Sequence, residues 1–212
     1  MSGPEKMTRE RAKELTKQII IEHGKNEFLK NGYLNVSVRS LAKSASLTSG
    51  AIYTHFKDKA ELFECLVRPA LEDFKALLTK IHDERMHLLS QGKSHHNLNI
   101  GLDKLKLIME CIYEHFSEFR LLMVASAGSG QENFLKTLSD YYSERSETFL
   151  AAIKKSGKET IHVEPELIRM LSYSYFTAIF EVVRDDLPRE TADVFIVPLH
   201  KFFQSGWDNL GG

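Results

Sequence analysis

The sequence predicts an all-α protein of about nine helices, because apolar residues recur at a spacing of three and four along most of the chain. Two further observations agree. Alternating apolar and polar runs, the mark of half-buried strands, are scarce. The five prolines fall where helices would open, bend or stop. Hydrophobic residues make up 42% of the 212 positions, enough for a sizeable core, and the 27% that are charged can keep the surface solvated.

Nothing approaches the roughly 18 consecutive apolar residues that suggest a membrane span. The N-terminal MSGPEKMTRERAKEL is charged and lacks the apolar stretch of a secretory signal. A cytoplasmic location is therefore expected, with no membrane partner. Cys65 and Cys111 sit in apolar, helix-like contexts and read as two buried thiols. The net charge of −1 hides an asymmetry: residues 1–59 carry 11 Lys or Arg against 6 Asp or Glu, and residues 60–212 carry 17 against 23. A basic head on an acidic body points to a polyanionic partner for the head.

The first helix is expected from Arg9 to Lys30, with Leu15, Ile19, Ile20, Phe28 and Leu29 apolar, and Gly32 placed to stop it. Ser37 then caps a second, short helix ending near Ser44, its hydroxyl accepting from Arg39 or Ser40 N–H, with Val36 and Leu41 spaced as a hydrophobic staple. A third runs from about Thr48 to His55. A fourth opens at Lys57 or Asp58 and reaches about Leu89, with Pro69 expected to kink it or divide it in two. Ser90 to Asn97 reads as a polar loop. Helices follow at about 98–115, 118–127 and 131–156. Pro165 opens the next, to about Asp185. Pro188 opens the last, which ends near Asn209 and should bend at Pro198.

From Ser37 to His55 the spacing is that of a helix-turn-helix: two short helices and a tight turn. Val38, Leu41 and Ala42 supply a buried edge for the first of the pair, and Leu47, Ile52 and Phe56 for the second. Thr48, Ser49, Ala51, Thr54 and His55 are left outward. Such small, uncharged side chains let a backbone approach base edges in a major groove about 12 Å wide, where hydroxyls can bond and methyls can meet thymine. Lysines to either side fall where phosphates run.

Residues 45–63, ASLTSGAIYTHFKDKAELF, resemble the DNA-binding signature of the tetracycline-repressor (TetR/AcrR) family of transcriptional regulators, roughly A-G-V-S-x-G-T-L-Y-x-H-F-x-x-K-x-x-L-F. The preceding VSVRSLAKSA is similar to that family's T-S/T-V-R-D-I-A-x-x-A. The likeness covers about residues 15–64. It departs at Ser46, where the turn usually has glycine, at Ala51, where threonine or asparagine is common, and at His23-Gly24, where Ala-Ala is usual.

The resemblance implies that Tyr53, His55 and Lys59 contact phosphate, joined by Lys57. It also implies that Ser37 and Arg39 touch backbone or bases, and that Thr48, Ser49, Ala51 and Thr54 meet bases. Lys59→Ala should then weaken all sites alike and lower the salt slope. It implies a DNA-binding domain at 1–62 and a helical effector-binding and dimerisation domain at 63–212. The whole would be a ligand-responsive regulator, most often a repressor, on a palindromic operator.

The body has no motif of comparable specificity. Its last two helices are apolar on too wide a face for one-sided packing, so a homodimer through them is expected. Candidate residues for a small apolar or amphipathic effector are Met86, Met109, Tyr113, Phe116, Met123, Tyr142, Tyr173 and Phe176, with Arg145 to set ligand charge. His82 with His87, and His95 with His96, lack the spacing of metal ligands on one helical face, so no metal or cofactor is expected. Phosphate loops, dinucleotide fingerprints and nucleophile motifs are missing, which argues against an enzyme. The competing reading is a DNA-associated helical protein without an effector, its body a protein-interaction module.

Overall fold

The computed structural model describes residues 4–92, 100–157 and 163–209. Among the described residues the chain forms nine α-helices, one π-helical turn and no strand: α1 (Pro4–Asn31), α2 (Val38–Ser44), α3 (Ser49–Tyr53), α4 (Lys59–Ser90), α5 (Leu102–Glu114), α6 (Phe116–Arg120), the π turn (Leu121–Ala125), α7 (Phe134–Lys155), α8 (Pro165–Arg184) and α9 (Arg189–Asn209). Most of the polar loop at 90–97, including His95 and His96, lies outside the described residues, as does the middle of the connector before Pro165.

Several expected boundaries move. α1 begins at Pro4, more than a turn before Arg9, and its Leu15 is 59% exposed instead of packed. α4 is one assigned helix through Pro69. Buried Leu66, Val67, Ala70 and Phe74 around the proline give that stretch a packed face, which offsets the lost backbone bond. The helix expected at 118–127 is instead a short α6 running into the π turn.

The chain divides into two compact units, one holding the N-terminal chain to Pro69 together with Ser117–Glu132, the other Ala70–Phe116 together with the chain from Asn133. In the first, Phe28 stacks on Tyr33 at 5.7 Å between centroids, and both meet the ring of Phe63 edge-on. Leu41, Ile52, Phe56 and Leu62 complete this core. Gly24 is buried where α1 and α4 come close: a Cβ there would lie 3.0 Å from Leu62 Cδ2. Ser117–Glu132 is fastened to α1 and its following loop by the Lys25–Glu118 ion pair at 2.9 Å and by the Tyr33 N–H donating to Ala125 O, also 2.9 Å.

In the second unit α7 packs along α8. Phe180 meets Phe74 and Phe134 edge-on. Leu89, Phe149, Ile153 and Trp207 form a further apolar cluster, which puts the C-terminal FFQSGW stretch into the core through its tryptophan. Burial pushes the Cys111 thiol up to about 11, that of an inert structural cysteine, whereas Cys65 is half-buried rather than fully so.

Candidate nucleic-acid interface

Two consecutive capped helices build the face. The Ser37 hydroxyl accepts from Ser40 N–H at 3.0 Å, while the Ser40 hydroxyl accepts from Ser37 N–H at 2.9 Å. This is a reciprocal capping box with serine in the place usually held by Glu or Gln. The sequence reading named the Ser40 N–H as a donor to this cap but not the return bond to its hydroxyl, although Ser-x-x-Ser before an apolar pair is a shorter version of the same signal. Val36 and Leu41, the expected staple pair, are both buried.

α2 ends in a Schellman motif. Leu47 N–H donates to Ala42 O and Ser46 N–H to Lys43 O, which places Ser46 at φ 54°. The turn thus has the left-handed conformation that favours glycine, with serine occupying it. Thr48 caps α3 by accepting from Ala51 N–H at 3.1 Å.

None of the residues expected to face a groove is fully buried. Thr48, Tyr53 and Thr54 are exposed, Ser49, Ala51 and His55 are half-buried, and Ile52 and Phe56 point into the core. Tyr53 is 57% exposed, so its ring is not part of the packing against α1. The Thr54 hydroxyl donates to Gly50 O at 2.9 Å, which turns that oxygen back onto the helix. Thr54 and His55 also line a groove of about 400 Å³ with Glu10, Lys13, Glu14 and Lys17 of α1. Arg39 and Lys57 are exposed beside the face.

Lys59, expected at phosphate, is bonded within the chain. Its ammonium donates to Tyr33 O at 2.8 Å and Val36 O at 2.9 Å, and lies 4.2 Å from the centroid of the Tyr33 ring. A through-space partner of this kind leaves no mark in the local sequence.

The effector candidates scatter. Tyr142 meets Phe176 edge-on at 5.3 Å, and Tyr113 stacks on Phe116 at 5.1 Å. The Tyr113 hydroxyl is engaged on Leu187 O at 2.9 Å. Met109 is buried, and Met86 packs on the Trp207 cluster. Arg145 lays its guanidinium on the Tyr141 ring, 3.5 Å from the centroid, with its Nε unpaired. Two of the candidates stand apart from the rest by their placement. Tyr173 faces outward, because α8 buries Ser172, Tyr175, Phe176 and Ile179 and so turns position 173 away. Met123 belongs to the first unit, since the π turn groups with the helix-turn-helix. Sequence reading also missed Tyr175, a buried phenol without a hydrogen-bond partner whose pKa burial raises far above the ordinary value. A cavity of about 580 Å³ lies along α9, lined by Phe202, Phe203 and Trp207 with Leu171 of α8, and includes none of the nine candidates.

No group of three His, Cys, Asp or Glu among the described residues is placed to hold a metal ion. No helix among them is long and apolar enough to cross a membrane.

These features define an all-helical protein with an N-terminal helix-turn-helix. Residues 20–66 match the family of bacterial regulatory proteins, tetR family. It is 32% identical over 114 residues to the probable HTH-type transcriptional regulator ArpR of Pseudomonas putida, a match covering 54% of this chain and 47% of that protein. The HTH-type transcriptional regulator AcrR of Shigella flexneri is 43% identical over 56 residues, 26% of each chain. The chain thus spans about half the length of the first of these relatives.

Among solved structures, a TetR transcriptional regulator family member from Streptomyces coelicolor aligns over 88% of this chain and 90% of its own, with TM-score 0.55 and 17% identity. The TetR family regulator PfmR from Thermus thermophilus aligns over 85% and 93%, with TM-score 0.52 and 21% identity. Both share the fold.

Proposed function

We propose that the protein is a DNA-binding transcriptional regulator of the cytoplasm, a homodimer that represses from a palindromic operator and is released by a small apolar or amphipathic effector. The observation that carries the DNA-binding reading is the capped α2–α3 pair, which presents small hydroxyl and methyl side chains outward within the stretch that matches the tetR family. Thr48, Ser49, Ala51 and Thr54 would meet bases. Ser37, Arg39, Tyr53, His55 and Lys57 would meet the backbone.

The dimer reading is supported by apolar side chains left in solvent at helical spacing: Leu167, Met170 and Tyr173 on α8, and Val194, Phe195 and Phe202 on α9. Two copies joined there could set two heads on successive major grooves. The effector reading is supported by the aromatic surroundings of Tyr142 and Phe176 and by the unpartnered Tyr175 hydroxyl beside them.

Selecting bound duplexes from a randomised pool tests the first claim. A palindrome should be enriched, with affinity falling steeply as salt rises, because bound phosphates release counterions. No enrichment at modest salt would remove the reading. A panel of small apolar compounds in a thermal-shift assay tests the second. Stabilisation together with release of DNA is expected; stabilisation by none of them favours a body that binds only another protein.

A further inference from the structure

We propose that Lys59 is a positioning residue for the helix-turn-helix, locking the corner between α1 and α2, and that it is not a phosphate ligand. This rests on the DNA-binding reading above for its functional consequence, but the lock is a property of the folded chain alone.

The corner comprises Gly32 to Ser37, between the last residue of α1 and the first of α2. An ammonium has three donors. Lys59, the first residue of α4, places two of them on Tyr33 O and Val36 O, at 2.8 and 2.9 Å. The Tyr33 carbonyl also receives the Val36 N–H, but at a longer 3.3 Å. The positive charge sits over the face of the Tyr33 ring, which is buried between Phe28 and Phe63.

Turning the ammonium out to a phosphate would strip both carbonyls of this donor and break the ring contact. An acceptor stripped of its partner is costly when shielded from water, as Val36 at 2% exposure is. Val36 is followed directly by Ser37, the cap of α2, so the lock fixes where α2 starts. Tyr33 also donates its own N–H to Ala125, so one residue receives both the α4 ammonium and the end of the π turn. By contrast, Lys57 is exposed, and it would serve as the phosphate-contacting lysine of this pair.

The test compares Lys59→Met, Lys59→Arg and Lys57→Met in the full chain, by thermal unfolding and by the slope of log affinity against log salt on the selected operator. Lys59→Met should lower the melting temperature by about 5 °C, weaken all operators alike and leave the salt slope unchanged. Lys59→Arg keeps the charge but not the compact ammonium, so it should also lose melting temperature. Lys57→Met should keep its melting temperature and reduce the slope by about 1.8, because each bound dimer loses two phosphate contacts.

A drop of about 1.8 in slope for Lys59→Met, with or without a stability loss, overturns the proposal. So does Lys59→Arg with wild-type melting temperature. If the wild-type chain binds no duplex, the DNA reading fails, while the two melting temperatures still decide whether the lock exists.

Discussion

The N–H of Leu47 donates to the carbonyl of Ala42 at 2.8 Å, and that bond closes the end of α2 around a serine in the left-handed region. An L-residue with a Cβ held there costs about 1–2 kcal/mol relative to the right-handed form. Glycine avoids that penalty but loses more entropy on folding. Ser46→Gly should therefore stabilise the chain by about 0.5–1 kcal/mol, read as a rise of about 2 °C in melting temperature. A melting temperature equal to or below wild type would show that the Ser46 side chain contributes something the turn geometry does not reveal.

The Lys25–Glu118 pair leads to a pH prediction. Burial disfavours the Glu118 carboxylate, but hydrogen bonds from Lys25, its own backbone and Ser117, with the Lys25 charge, outweigh that and hold its pKa below the ordinary value. A depressed carboxylate contributes stability above its unfolded pKa and loses it as pH falls through the folded value. The wild-type chain should therefore lose stability across the acid range below about pH 4.5. Glu118→Gln should lose part of that pH dependence, as followed by urea unfolding at pH 7 and pH 4. Equal acid slopes for the two proteins would dismiss the pair as a contributor.

Gly24→Ala should not give the roughly 1 kcal/mol that helix propensity alone offers. The new methyl would lie 3.0 Å from Leu62 Cδ2, and Leu62 is fully buried with little room to yield. Thermal unfolding should show no gain, and Gly24→Val should show a loss of more than about 1 kcal/mol. A clear gain for the alanine variant would mean that the α1–α4 contact is looser than its geometry.

Removing the Thr48 cap should cost about 1 kcal/mol in Thr48→Ala, with most of it restored in Thr48→Ser, because only the oxygen is needed to receive Ala51 N–H. Comparing operator preference for the two separates cap from base contact. A preference that changes in the serine variant at unchanged stability assigns the methyl to a base.

Phe195→Asp should shift the chain toward monomer in sedimentation, weakening self-association by at least about tenfold, while its helical circular dichroism stays intact. Phe195 is already 54% exposed within one chain, so a charge there does not disturb its core. An unchanged sedimentation profile would exclude this face of α9 from the interface.

The Ser37 cap was legible because its signal is local, a serine directly before a short apolar pattern. Thr48 was read only as the start of the next helix and an outward side chain, not as its cap. Ser46 was legible as a departure, since the turn type demands one backbone conformation whichever residue occupies it. Asp186 takes the same conformation, φ 55°, at the end of α8, where Leu187 N–H closes onto Val182 O, and no comparable pattern announced it.

What the sequence concealed depends on distant partners. Pro69 looks like a break until buried neighbours on its own helix are known to hold it. Tyr173 looks like pocket lining until the phase of α8 is set by its contact with α7. Lys59 looks like every other surface lysine until the carbonyls of Tyr33 and Val36 arrive beside it.

The π turn at Leu121–Ala125 makes chain length a constraint in its own right. A π turn amounts to one extra residue within an otherwise helical stretch. Inserting one further residue there would rotate everything beyond it by about 100°. The Ala125 carbonyl would then leave the amide of Tyr33, although every remaining side chain was unchanged. Substitution at exposed Val124 should be tolerated where insertion of a residue beside it is not. In this segment, spacing rather than residue identity is what descendants of the sequence must keep.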